Sequence, residues 1–133
     1  MRDERGAAAV EMAVVLLPLL LLLFGVVEFA RVYSTQLRLQ HAAREAAREI
    51  ALKHDDPGVL GNLGVLQGIV DNTLDDLVGD LLDDVATNIV YCDGEVEDAR
   101  VALAGEVDLV LPLPGDQLGS VPVAAEAVMA CEA

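Results

Sequence analysis

A long apolar run near the N-terminus constrains this chain more than any other feature. Residues 12–27 carry no charged side chain, while Glu11 stands just before the run and Glu28 just after it. A helix needs roughly 20 apolar residues to cross about 30 Å of hydrocarbon. A core helix of a soluble protein rarely stays apolar on every face for this long. The sequence therefore predicts a transmembrane segment over residues 7–30, in contact with membrane lipid.

The same run does not fit a cleaved secretory signal. Signal cleavage requires small residues at positions −1 and −3 after the apolar segment. If Ala30 stood at −1, position −3 would be Glu28. We therefore expect the segment to stay attached as an anchor.

Charge is distributed very unevenly along the chain. Seven of the eight basic residues occur at or before Lys53, whereas from His54 onward there are seventeen acids and one base, Arg100. Such a surface repels nucleic acid, whose phosphates require Lys and Arg for neutralisation, and it also repels anionic lipid. The composition argues against a nucleic-acid partner.

Cys92 and Cys131 are the two cysteines of the chain. A pair flanking the last third of a small protein suits a disulfide in an oxidising compartment. Two buried thiols are the alternative. A disulfide would contribute a large share of the stability, because two Phe, two Tyr and no Trp leave little aromatic mass for a core.

Helical periodicity continues beyond the apolar run, from Phe29 to Lys53. Its apolar side is a narrow stripe made mostly of small residues, which is suited either to packing on other helices or to packing on the chain's own domain. We define this small-residue stripe as Leu39, Ala42, Ala43, Ala46, Ala47 and Ile50. Residues 54–58, with Pro57 and Gly58, predict the end of the helix.

A second, acidic helix is predicted after a loose glycine-containing stretch that includes Gly64 and Gly68. Leu66, Val70, Leu74 and the apolar residues up to Val85 recur at helical spacing, with Thr87 and Asn88 near the predicted end. No calcium-loop motif accompanies the aspartates. We therefore interpret them as a solvated face.

After Asn88 the apolar period changes to two, which indicates strands. The predicted fold class is α+β: a long N-terminal transmembrane helix that continues into a small extracytoplasmic domain, with an amphipathic helix and a short, three-stranded antiparallel sheet packed on it. A bridge from Cys131 to Cys92 would tie the last strand to the start of the sheet. No catalytic motif or paired-cysteine metal spacing is present, so we expect neither an enzyme nor a cofactor.

Two stretches resemble a known family. They are RGAAAVEMAVVLLPLLLLLFGVVEFARVY, from residue 5, and LQHAAREAAREIA, from residue 39. Together they closely resemble the TadE/TadG-like pseudopilins of tight-adherence (Flp-type) pilus systems. The shared marks are the spacing of Gly6 and Glu11, Pro18 inside the run, and Glu28 with Arg31 at its exit. Met12 departs from the major pilins, which favour an aromatic residue there, and the chain is longer than theirs.

The resemblance implies a prepilin leader at residues 1–6, cut by a prepilin peptidase after Gly6. Ala7 then becomes the N-terminus and Glu11 the fifth residue, whose implied partner is the α-amino group of a neighbouring subunit. Residues 31–54 would form a helical extension and residues 55–133 an acidic extracytoplasmic domain. Other pilin or pseudopilin subunits and the pilus assembly platform are the implied partners, in assembly or adhesion.

The resemblance also decides the orientation. Counting Lys and Arg places the C-terminal domain in the cytoplasm, but Arg44 and Arg48 are interleaved with Glu45 and Glu49, and the resemblance implies a cytoplasmic N-terminus. The expected product is a single-pass membrane protein that is able to enter a pilus. The alternatives are an unprocessed membrane-anchored extracytoplasmic binding domain and a pseudopilin of another secretion apparatus.

Overall fold

The computed structural model of the chain describes residues 3–53, 55–59, 61–82, 84–93, 96–110 and 117–131. The described elements are two α-helices, one 3-10 turn and three strands. Helix α1 spans Asp3–Leu52 and α2 spans Leu63–Leu77, followed by the 3-10 turn Gly79–Leu81. The strands are β1 (Ala86–Val90), β2 (Asp98–Val110) and β3 (Gln117–Ala130). The predicted α+β fold class is confirmed.

Helix α1 is unbroken over 50 residues and includes Pro18. Its sequence is rich in Ala, Leu, Arg and Glu, which favour helix, and at 1.5 Å per residue it is about 75 Å long. Gly6 lies inside this helix, three residues after its first residue. It ends at Leu52, ahead of Pro57 and Gly58, as the sequence predicts.

The two halves of α1 have different surroundings. From Gly6 to Val27 every residue is exposed, whereas one face is buried from Thr35 onward. All six residues of the small-residue stripe are at most 1% exposed within this single chain. Of the two alternatives for the stripe, the structure shows packing on the chain's own domain.

Helix α2 begins at Leu63, about one turn before Leu66, where the predicted helical spacing starts. It ends at Leu77, earlier than predicted. Asn62 caps it, with its side-chain oxygen accepting from the Val65 amide at 3.4 Å, and Gly64 and Gly68 lie inside the helix rather than in a loose stretch. Four residues at helical spacing are buried: Leu66, Ile69, Val70 and Thr73.

The predicted extension of this helix to Thr87 and Asn88 is wrong. Gly79 has a φ of +57°, a conformation that is costly for other residues and common just after helices. Thr87 and Asn88 lie in β1. The apolar spacing up to Val85 matched a helix by coincidence, because a 3-10 turn and an extended segment happen to place Leu82 and Val85 against the core.

The sheet is antiparallel throughout, in the order β1-β2-β3. Register pairs such as Val101 with Ala127 and Leu103 with Ala125 put alternate residues of β2 and β3 on the buried face. This face packs on α1, and α2 packs on α1 as well, contrary to the prediction that the sheet lies on the acidic helix. The small-residue stripe explains the difference, because alanines let the backbones of α1 and the sheet approach closely.

Candidate assembly segment and its junction with the domain

The first candidate site is the exposed N-terminal half of α1, which we call the assembly segment and define as residues 6–27. It contains the sequence-predicted residues Gly6, Ala7 and Glu11, all exposed. A side chain added at Gly6 would meet no atom within 4 Å. Over Gly6–Leu52 the helix is long and apolar enough to cross a membrane, and its most apolar window is not buried at all.

Glu11 is a carboxylate on an otherwise apolar surface. Its neighbours Val10 and Met12 are 64% and 61% exposed, and Ala7 lies one turn away on the same side of the helix. Among the residues that the structure describes, no cation lies within ion-pair distance of Glu11. A carboxylate in hydrocarbon is costly unless it is paired.

A polar junction joins α1 to the domain at the end of the apolar run. Arg31 forms an ion pair with Glu28 at 3.1 Å, and the same guanidinium nitrogen donates to the backbone carbonyl of Asp108 in β2. The β2–β3 register shifts at Asp108. The spacing of three residues on a helix allows the pair of Glu28 with Arg31, but the sequence gives no signal for the contact with a strand 77 residues away.

A second contact fixes the direction of β3 along the helix. The Gln36 side chain donates to the Ala124 carbonyl at 2.6 Å. Further along, Met129 and Ala130 line the same surface depression as Arg48 and Leu52. Strand β3 therefore runs beside α1 in the same direction, from the apolar run toward the helix end.

An apolar groove of about 530 Å³ lies where the domain meets the apolar run, and we call it the junction groove. It separates the face of α1 around Phe24 from the neighbouring ends of β2 and β3. Its lining is Leu21, Phe24, Gly25, Glu28, Phe29, Val32, Leu109, Val110 and Val121. Sequence reasoning missed this groove, because no local pattern links residues so far apart in the chain.

The structure joins Cys92 and Cys131 in a disulfide, as the sequence predicts. Their Cα atoms are 6.3 Å apart, and the Cys131 amide donates to the Glu97 carbonyl at 2.8 Å. The bridge ties the segment after β1 to the end of β3, which are the two edges of the sheet. The alternative of two free thiols is not what the structure shows.

The acidic side chains of the domain remain dispersed. Asp71, Asp75 and Asp76 on α2 are exposed. Within the described parts of the chain, no group of three His, Cys, Asp or Glu side chains is placed to hold a metal ion. These described carboxylates give α2 a negative surface that faces solvent.

These observations define a class: an α+β protein in which a long, partly apolar helix carries a small disulfide-linked sheet domain at one end. Within that class, the family described as TadE-like protein matches residues 6–48. The resemblance to this family is therefore confirmed over the assembly segment and most of the rest of α1. No curated protein and no solved structure matches the chain.

Proposed function

We propose that this protein is a minor pilin or pseudopilin of a tight-adherence pilus machine, processed by a prepilin peptidase after Gly6. The observation that supports the proposal most strongly is the position of Gly6, Ala7 and Glu11 at the start of an exposed apolar helix that matches the TadE-like family. The protein acts through protein–protein contacts in pilus assembly or adhesion, not through catalysis.

In this proposal the membrane is crossed once, with the N-terminal end of α1 on the cytoplasmic side. The disulfide supports an extracytoplasmic domain, since such bonds persist in oxidising compartments. The peptidase reaches Gly6 from the cytoplasmic side, where nothing in the described chain covers this glycine.

Cleavage after Gly6 leaves a new α-amino group on Ala7. In the membrane, Glu11 of one subunit accepts this ammonium group from a neighbouring subunit, so that two charges which are costly in lipid neutralise each other. This pairing sets the register between subunits. The small-residue stripe takes no part in it, because the domain of the same chain already buries that stripe.

A pair of glycine variants tests the processing step. Gly6→Val places a branched side chain at the cleaved position, whereas Gly25→Val makes the same change elsewhere in the apolar run, and neither new Cβ meets an atom within 4 Å. Both chains are expressed with the peptidase, and their N-termini are determined by mass spectrometry. We expect Gly25→Val to begin at Ala7 and Gly6→Val to keep the residues before it. Equal processing of the two variants would contradict the proposal.

A further inference from the structure

We infer that the β2–β3 end of the domain is seated in the lipid interface beside α1, so that the protein contacts the membrane through its sheet as well as through its helix. The residues that reach the lipid from the sheet are Leu109, Val110 and Val121. The inference rests on the proposed function in one respect, since it takes α1 to span the membrane.

Strand β3 is long compared with the part of α1 that lies outside the apolar run. Strand β3 has 14 residues, which extend about 46 Å at 3.3 Å per residue. A helix needs roughly 31 residues to cover that distance. Because β3 runs beside α1 and ends near Leu52, the sheet reaches back along the helix to about the level of Leu21.

The junction groove supports this estimate independently. Leu109, Val110 and Val121 line it together with Leu21 and Phe24, which lie well inside the apolar run. Residues 7–20 of the apolar segment are then clear of the described part of the domain, and they rise about 21 Å. The hydrocarbon is about 30 Å thick. If α1 spans it, the lipid must extend to the level of the strand ends.

The surface at that level is suited to lipid. Val110 at the end of β2 is 54% exposed, and Phe29 and Tyr33 on α1 are 71% and 56% exposed. The two rings stack with their centroids 6.3 Å apart, and aromatic side chains are enriched at membrane interfaces. Among the described residues that line the groove, Glu28 is the charged one, and it is paired with Arg31.

The junction groove is continuous with the exposed apolar surface of α1, which identifies lipid as its occupant. The groove opens directly onto the exposed apolar surface of the assembly segment, since Leu21, Phe24 and Gly25 belong to both. The contact is apolar and not electrostatic, because a chain with a net charge of −15 gains nothing from anionic headgroups. The acyl chains that surround α1 therefore also cover the strand ends.

Tryptophan scanning tests the inference, because the chain contains no Trp. Val110→Trp is the probe, and Val128→Trp is its matched control: Val128 is also on a strand and 47% exposed, but it pairs with Arg100 at the opposite end of the sheet. Leu17→Trp reports on the span itself. The full chain is reconstituted in phosphatidylcholine vesicles, with or without bromine on the acyl chains, which quenches Trp on contact.

We expect bromolipid to remove the larger part of the emission of Leu17→Trp and Val110→Trp, and none from Val128→Trp. Leu109→Trp, a second probe on the same strand, should behave like Val110→Trp. Retention of the disulfide, checked by non-reducing mass, shows that each variant is folded.

Three results would overturn the inference. Emission from position 110 that is unquenched and matches position 128 would place the strand ends in water. Emission from position 110 that is unquenched but shifted to shorter wavelength would identify a second copy of the chain as the occupant. In both cases quenching at position 17 leaves the proposed function intact. No quenching at position 17 would instead remove the membrane span, and with it both proposals.

Discussion

At the scale of single residues, Glu11 differs from the other acid that borders the apolar run. Glu28 has a partner within the chain, Arg31, at 3.1 Å, whereas no described cation lies near Glu11. The two acids therefore offer a matched comparison. Glu28 is paired within its own chain, and in the proposed function Glu11 is paired by a second subunit.

Glu11→Gln should weaken association between subunits while leaving cleavage after Gly6 intact. Removing one member of a charge pair that is out of water typically costs 2–5 kcal/mol, so we expect about thirtyfold or greater loss of cross-linking to neighbouring pilus subunits in the native membrane. Glu28→Gln is the control and should cross-link like the wild type. Equal cross-linking by both variants would mean that Glu11 only lies at the lipid interface.

At the scale of elements, α1 divides into an exposed assembly segment and a half that is part of the domain core. The small-residue stripe is what allows this, because alanines bring the sheet close to the helix along its length. A larger side chain in the small-residue stripe would push the sheet away from α1.

Ala46→Leu should destabilise the domain, since Ala46 is fully buried in the small-residue stripe. Overpacking of this kind typically costs about 1–3 kcal/mol of unfolding free energy. Ala30→Leu makes the same change at an exposed position of α1 and should leave stability unaltered. Thermal unfolding of both variants, followed by circular dichroism in detergent, checks this. Equal melting temperatures would argue that the stripe is not a packing surface within the chain.

The elements differ in how far the sequence predicts them. Helix α1 and its end before Pro57 follow from local signals, as do the three strands, whose period-two pattern places Val123 and Ala125 on the buried face. The end of α2 does not follow from local signals, because the apolar spacing continues past Gly79 while the backbone turns there. The helix ends just before Gly79, whose φ is positive, although the apolar spacing extends to Val85.

The contacts between elements are harder still to predict from the sequence. The bond from Arg31 to the Asp108 carbonyl and the junction groove both depend on how β2 and β3 are aligned with α1. That alignment follows from the close approach that the alanines allow and from the Gln36 contact with Ala124. No periodicity within either segment encodes it.

At the scale of the whole molecule, one covalent bond closes the domain. The disulfide links residues 39 positions apart across the two edges of a three-stranded sheet with few aromatic residues in its core. Replacing both cysteines by serine should lower the unfolding free energy by about 2–4 kcal/mol. Chemical denaturation of the double variant beside the oxidised wild type measures this, and an unchanged midpoint would contradict it.

In the proposed function, the protein is a processed, pilin-like membrane subunit with an oxidised domain outside the cytoplasm. The intact mass of protein purified from its native membrane, measured with and without reductant, tests it most directly. We expect a chain that begins at Ala7 and gains two hydrogens on reduction, one for each of Cys92 and Cys131. A chain that keeps the residues before Ala7 in cells with active prepilin peptidase would contradict it and leave an unprocessed membrane anchor.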